Sequence, residues 1–153
     1  MENAATEIYA PSRSTVIIYI LTACIALAGL TEATYLAVLT FAGEMAVCGD
    51  SPGCSQVLGS AYAKIHGVPV SAFGAAAYFT VFTSATFAAF GYPKARKFLA
   101  LIISAMFLFT LWLLGVQAFL LHAFCRYCLV SAAMVFLLTG LLVATPPASS
   151  RPS

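Results

Sequence analysis

The run FLALIISAMFLFTLWLLGVQAFLL, from Phe98 to Leu121, decides the fold. It carries no charged residue. About 20 apolar residues, in a helix rising about 1.5 Å per residue, cross a hydrocarbon core about 30 Å thick. Three similar stretches lie around it. Before it, beyond the basic turn Tyr92-Pro93-Lys94-Ala95-Arg96-Lys97, Val68 to Tyr92 is uncharged, and Ser14 to Phe41 holds one charge, Glu32. After it, Tyr127 to Thr145 is uncharged and ends at Pro146-Pro147, where proline stops a helix. The expected architecture is all-α integral membrane: one domain over residues 1–153, a four-transmembrane-helix bundle with spans of about 14–41, 68–92, 98–121 and 127–145. Lipid cannot satisfy sheet edges, which excludes open strands as spans.

Composition agrees with that solvent. Of 153 residues, 62% are hydrophobic and 8% charged, with mean hydropathy +0.99, against about 25% charged in soluble proteins. This excludes a soluble cytosolic domain, and no charge run is long enough for a nucleic-acid footprint. Val16 to Ala28, ending in Ala26-Leu27-Ala28, also reads as a signal peptide. Its leading segment sets Glu2 and Glu7 against Arg13, however, and the apolar stretch continues to Phe41, so a retained helix is the better reading. Lys and Arg in short loops stay cytoplasmic. With the N-terminus inside, Arg13, Lys94, Arg96, Lys97 and Arg151 lie inside and only Lys64 and Arg126 outside. Both ends are therefore expected in the cytoplasm and the loop Ala42 to Gly67 outside.

Cys48 and Cys54 in that exposed loop, and Cys125 and Cys128 at the mouth of the last two spans, all fall on the outer side, where disulfides persist. Cys24, within the first span, reads as a small buried hydrophobe. Cys125-Arg126-Tyr127-Cys128 is a C-x-x-C opening a helix, so its sulfurs share a face one turn apart. A helix N-terminus and the C-x-x-C setting both favour thiolate, which suits an exchange pair. The alternative is an inert staple, but closing so short a loop constrains the unfolded chain weakly. Between Cys48 and Cys54, Gly49-Asp50-Ser51-Pro52-Gly53 can turn the chain back so that the sulfurs meet.

After Cys54, a short amphipathic interfacial helix is expected, capped by Ser55 and ended by Gly67. Counting 100° per residue puts Val57, Leu58, Ala61 and Ile65 beside Cys54, with Gln56, Ser60 and Lys64 opposite. Such a helix would hold Cys54 near Cys125 and Cys128, making two redox pairs a relay. A four-thiolate zinc or iron–sulfur site is the rival, but the C-x5-C spacing is loose and the outer side favours disulfides. His66 and His122 read as interfacial anchors. Glu32 is costly within a span and marks either function or a structural partnership with Thr31 and Thr34.

With these motifs in hand, the chain resembles the vitamin K epoxide reductase (VKOR) family, in particular its bacterial homologues. The likeness rests on a loop cysteine pair after the first span and Ser60 six residues past Cys54. It continues through Gly67-Val68-Pro69 leading into a span with Phe73-Gly74, and ends at Cys125-x-x-Cys128 opening the last span. Membrane proteins of the DsbB type also carry two pairs, but with the C-x-x-C first. The resemblance implies a thiol:quinone oxidoreductase that takes electrons from a thioredoxin-like or DsbA-like periplasmic protein. It passes them to a ubiquinone, menaquinone or vitamin K type quinone, in the inner (plasma) membrane. It implies that Cys128 reacts with the quinone, that Cys125 exchanges with Cys48 and Cys54, and that Ser60 and Phe73 line the quinone end. Ser60 reaches that end only if the segment bends at Gly59. Tyr78, Phe107, Trp112 and Phe119 are further candidates for the walls of the apolar pocket a quinone needs.

Two departures bear on the chemistry. Where vertebrate members carry an Asn and a Tyr for the vitamin's carbonyl, this sequence has Val70 and Ala132, which favours plain quinone reduction over epoxide reduction. Some bacterial members continue into a thioredoxin-like domain. This sequence stops at Ser153, so the partner is expected to be a separate protein or a domain cut away. A disulfide-stapled membrane scaffold without enzymatic activity is the competing class.

Overall fold

The computed structural model describes residues 10–43 and 48–146. Four long helices carry the fold: α1 (Arg13–Ala42), α3 (Val70–Ala89), α4 (Pro93–Gly115) and α5 (Arg126–Ala144). A π turn, Val116–Leu121, extends α4, so all four are long and apolar enough to cross a membrane. Between α1 and α3 lie a short helix α2 (Pro52–Leu58), a 3-10 turn (Ala61–Ala63) and a two-stranded hairpin of β1 (Lys64–Ile65) and β2 (Val68–Pro69). The chain is an all-α membrane bundle with almost no sheet.

Local chemistry sets the helix ends. The Ser12 hydroxyl accepts the Thr15 N–H at 3.3 Å and starts α1, and Gly43 ends it in the left-handed region at φ 73°. The first and last spans begin and end within a residue of expectation. The middle two do not. The second starts at Val70, not Val68, because Val68 and Pro69 pair antiparallel with Ile65 and Lys64. The two residues between the strands, His66 (φ 51°) and Gly67 (φ 84°), both take the positive φ of a tight hairpin turn. The second span also ends earlier, at Ala89, where Gly91 (φ 92°) turns the chain. The third span opens at Pro93 and not at Phe98, since proline suits the first helical position; Lys94, Arg96 and Lys97 lie on its first turns. The loop helix spans Pro52–Leu58 rather than continuing from Ser55 to Gly67, because Gly59 breaks it. Ile65, counted on its buried face, is exposed in β1.

Packing follows lipid rules. One core joins Tyr19, Ala26 and Ala33 of α1 to Tyr78, Val81 and Ala85 of α3, Leu99 and Ile103 of α4, and Val135 and Leu138 of α5. Small residues let α1 and α3 approach closely: a Cβ on Gly29 would lie 2.4 Å from the Tyr78 ring. Large apolar side chains point outward, as Phe119 does at 79% exposure. Cys24, expected to be buried, also faces outward from α1. Several threonine hydroxyls within the spans, Thr22, Thr83 and Thr139 among them, donate to carbonyls one turn back at 2.8–2.9 Å, which satisfies them inside the helix.

At one end of the bundle the Arg96 guanidinium donates to the Pro146 carbonyl, and Pro11, Thr15 and Tyr19 gather beside Tyr92 and Pro93. The opposite end holds the cysteines.

Candidate redox site

A second core, at that opposite end, consists of Leu36, Cys48, Cys54, Val57, Leu58, Ala123 and Cys125, with Leu121, Tyr127 and Cys128 packed against it. All four paired cysteines thus share one apolar cluster. Cys48 and Cys54 form a disulfide with Cα atoms 5.4 Å apart. The loop was expected to expose them, yet they are 1% and 0% exposed because α2 folds over the bundle mouth.

Two contacts hold α2 there. Gln56 Nε2 donates to the Leu121 carbonyl at 3.1 Å, and Gly53 lies so close to Phe124 that a Cβ would meet the Phe124 carbonyl oxygen at 2.7 Å. Only glycine permits that approach, one residue before Cys125.

Cys125 is the N-cap of α5 and Cys128 lies one turn along it. The path into Cys125 reverses at His122, whose φ of 48° is left-handed, and the Ala123 N–H returns to the Gln117 carbonyl at 3.2 Å. Gln117 is buried, and its Oε1 accepts the Cys125 N–H at 3.1 Å. The Cys125 thiol is pushed down from 9.0 to about 6. The largest cause is a hydrogen bond from the Cys128 thiol. The N–H groups of Cys128 and Tyr127 and the charge of Arg126 add to it, while burial opposes it. A thiol so tuned is largely thiolate at neutral pH, the form that attacks disulfides.

Below this cluster lies a cavity of about 340 Å³ between α1, α3, α4 and α5, capped by α2. Ser60, Phe73 and Cys128 line it, and Cys125 does not. Ser60 gets there as the bend at Gly59 required, its hydroxyl donating to the Val57 carbonyl at 2.7 Å. Tyr78 also lines it, its hydroxyl 2.9 Å from Ser131 Oγ. Three expected wall residues lie elsewhere. Phe107 packs edge-on against Phe136, Trp112 sits half exposed against Tyr62 and Phe109, and Phe119 points away from the bundle. Tyr62, Phe109 and Tyr127 take their place.

Among the described residues, Glu32 is the one carboxyl group in the cavity wall. The expected partnership with Thr31 and Thr34 is not made: the Thr31 hydroxyl donates to Leu27, and the Thr34 hydroxyl does not reach the carboxyl group. Both carboxyl oxygens are buried with no hydrogen-bond partner among the described residues. Sequence reasoning missed Gly53, Gln56 and Gln117. Gln117 left a signal: it is the one carboxamide in the run from Phe98 to Leu121, and a polar side chain inside a span has to be explained.

Comparison with curated proteins gives no match. The profile of the vitamin K epoxide reductase family, by contrast, matches residues 20–143, which takes in most of the first span, the two middle spans, all but the end of the last, both cysteine pairs and the residues that line the cavity. Members of that family are membrane redox proteins that act on disulfides and quinones and are generally coupled to thioredoxin-like partners. With most of its length matched, this chain belongs to the vitamin K epoxide reductase family.

Proposed function

We propose that the protein is a thiol:quinone oxidoreductase that makes disulfides for a thioredoxin-like partner. In this reading electrons pass from the partner to Cys48–Cys54, then to Cys125–Cys128, then to a quinone in the cavity. One observation carries it: of the four clustered cysteines only Cys128 lines the cavity, while Cys125 packs with the loop disulfide. Fit to a quinone is good. The cavity volume lies at the lower end of the range of about 300–1,000 Å³ seen for small-molecule pockets, and its walls are mostly apolar with a few hydroxyls and one carboxyl. Val70 and Ala132 are both in the wall, which favours quinone over epoxide reduction.

A bound quinone supplies an acceptor for two electrons and two protons. The residues do the rest. A loop thiolate, once the partner has reduced the pair, attacks the Cys125–Cys128 disulfide at Cys125 and Cys128 leaves as thiolate; the second loop cysteine then resolves the mixed disulfide, which restores Cys48–Cys54 and leaves the C-x-x-C reduced. In the oxidising direction Cys128 faces the acceptor and Cys125 closes the new S–S bond. The loop disulfide is sealed, so a partner reaches it when α2 lifts from Phe124 and Leu121. The positive-inside count supports a reading with both ends in the cytoplasm and the cysteines on the periplasmic or extracellular face of the plasma membrane.

The test is quinone reduction by purified protein with excess small dithiol. Activity should vanish in Cys125→Ser and Cys128→Ser and persist in Cys48→Ala. Absence of quinone reduction by the wild type, or its retention in Cys128→Ser, overturns the reading. Labelling intact cells with a membrane-impermeant maleimide after mild reduction tests the orientation, and cysteines that react only in opened membranes overturn it.

A further inference from the structure

Glu32 stands outside the electron path, yet nothing structural accounts for it. An ionised carboxylate without a partner is costly in an apolar wall at membrane depth, so the group rests there as the acid. Neighbours give it no alternative use: the Thr31 hydroxyl is committed to Leu27 and the Tyr78 hydroxyl to Ser131. It shares the cavity wall with Cys128.

We propose that Glu32 is the proton donor for the quinone, supplying from the cavity wall the one proton that the cysteine pair cannot. This rests on the quinone-reductase reading. The balance is explicit. The reduced pair enters with Cys125 as thiolate and Cys128 as thiol, so forming the S–S bond releases two electrons and one proton. Reducing a quinone to a quinol takes two electrons and two protons. The Glu32 O–H bond breaks to provide the second, leaving a carboxylate that water re-protonates after the quinol departs. Charge is conserved: one thiolate is consumed and one carboxylate forms.

Two measurements test this on the full chain in detergent, with a short-chain benzoquinone and excess dithiothreitol. Infrared spectra of the reduced protein should show the carbonyl stretch of a protonated carboxylic acid that is missing from Glu32→Gln. Its absence from the wild type overturns the proposal. In turnover, Glu32→Gln should lower kcat by about 100-fold, the lower bound for losing a general acid, with KM for the quinone little changed. Glu32→Asp should recover part of kcat, and acetate should partly rescue Glu32→Ala. A Gln variant within twofold of wild type, a rise in KM alone, or an Asp variant as slow as Gln overturns it. Failure of the wild type to reduce the quinone would instead remove the underlying reading.

Discussion

Replacing Gly53 with alanine probes the contact that brings the two cysteine pairs together. Its Cβ would lie 2.7 Å from the Phe124 carbonyl oxygen, about 0.7 Å inside the 3.4 Å at which ordinary contact begins. The obstacle is backbone and cannot swing aside. The start of α2 must therefore retreat by roughly that distance, taking Cys54 with it and away from Cys125. Since a misplacement of about 1 Å can cost about 100-fold in rate, we expect transfer from the loop pair to Cys125 to slow by about 10- to 100-fold. Helix propensity works the other way, favouring alanine over glycine by about 1 kcal/mol within a helix, so slower transfer would not reflect a melted α2. The assay compares quinone reduction driven by a thioredoxin-like dithiol protein with that driven by a small permeant dithiol. Only the first should fall. An unchanged ratio of the two rates in Gly53→Ala would refute the close-approach argument.

Other perturbations test the remaining parts. Gly29→Ala drives a Cβ into the Tyr78 ring, whose exposure is 1% and which has nowhere to turn; thermal unfolding in detergent should show a loss of about 1–3 kcal/mol. Gln117→Leu leaves the buried Cys125 N–H without its acceptor, at a cost of about 1–3 kcal/mol by the same measurement. Alkylation of reduced Cys125 should rise with pH to a midpoint near 6, since its thiolate forms as pH climbs through that value and not through 9.0. Cys128→Ala removes the largest stabilising hydrogen bond and should move that midpoint upward. Cys48→Ala should abolish oxidation of a protein partner while leaving turnover with the small dithiol.

The spans were legible because lipid imposes a length that any apolar run must meet, and Gly43, Gly91, Pro93 and Pro146 mark several of their ends. Hydropathy assigns Val68-Pro69 to the second span, because β pairing there depends on Lys64 and Ile65 across a turn, which hydropathy does not register. The C-x-x-C and its place at a helix start were readable from the sequence, because the motif immediately precedes an apolar run. The burial of Cys48 and Cys54 was not, because it comes from α2 docking through Gln56 and Gly53 onto residues some 65 positions later. The cavity walls were misjudged for a related reason. Helices apolar all round give no periodic clue to their inner face, so Phe109 was indistinguishable from Phe107, Trp112 or Phe119. The helical count placed Ser60 wrongly because it ran through Gly59, where the helix had ended.

The Arg96–Pro146 hydrogen bond and the packing of Pro11 beside Pro93 put the start of α1 and the end of α5 at one end of the bundle, with the cysteine cluster at the other. α5 alone, at 19 residues, separates those ends by about 28 Å. An even number of crossings thus sets a parity rule for fusions. A dithiol domain grafted directly onto either end would sit a membrane's thickness from the loop disulfide, however long its linker. Adding one more span before the graft would bring the two to the same side.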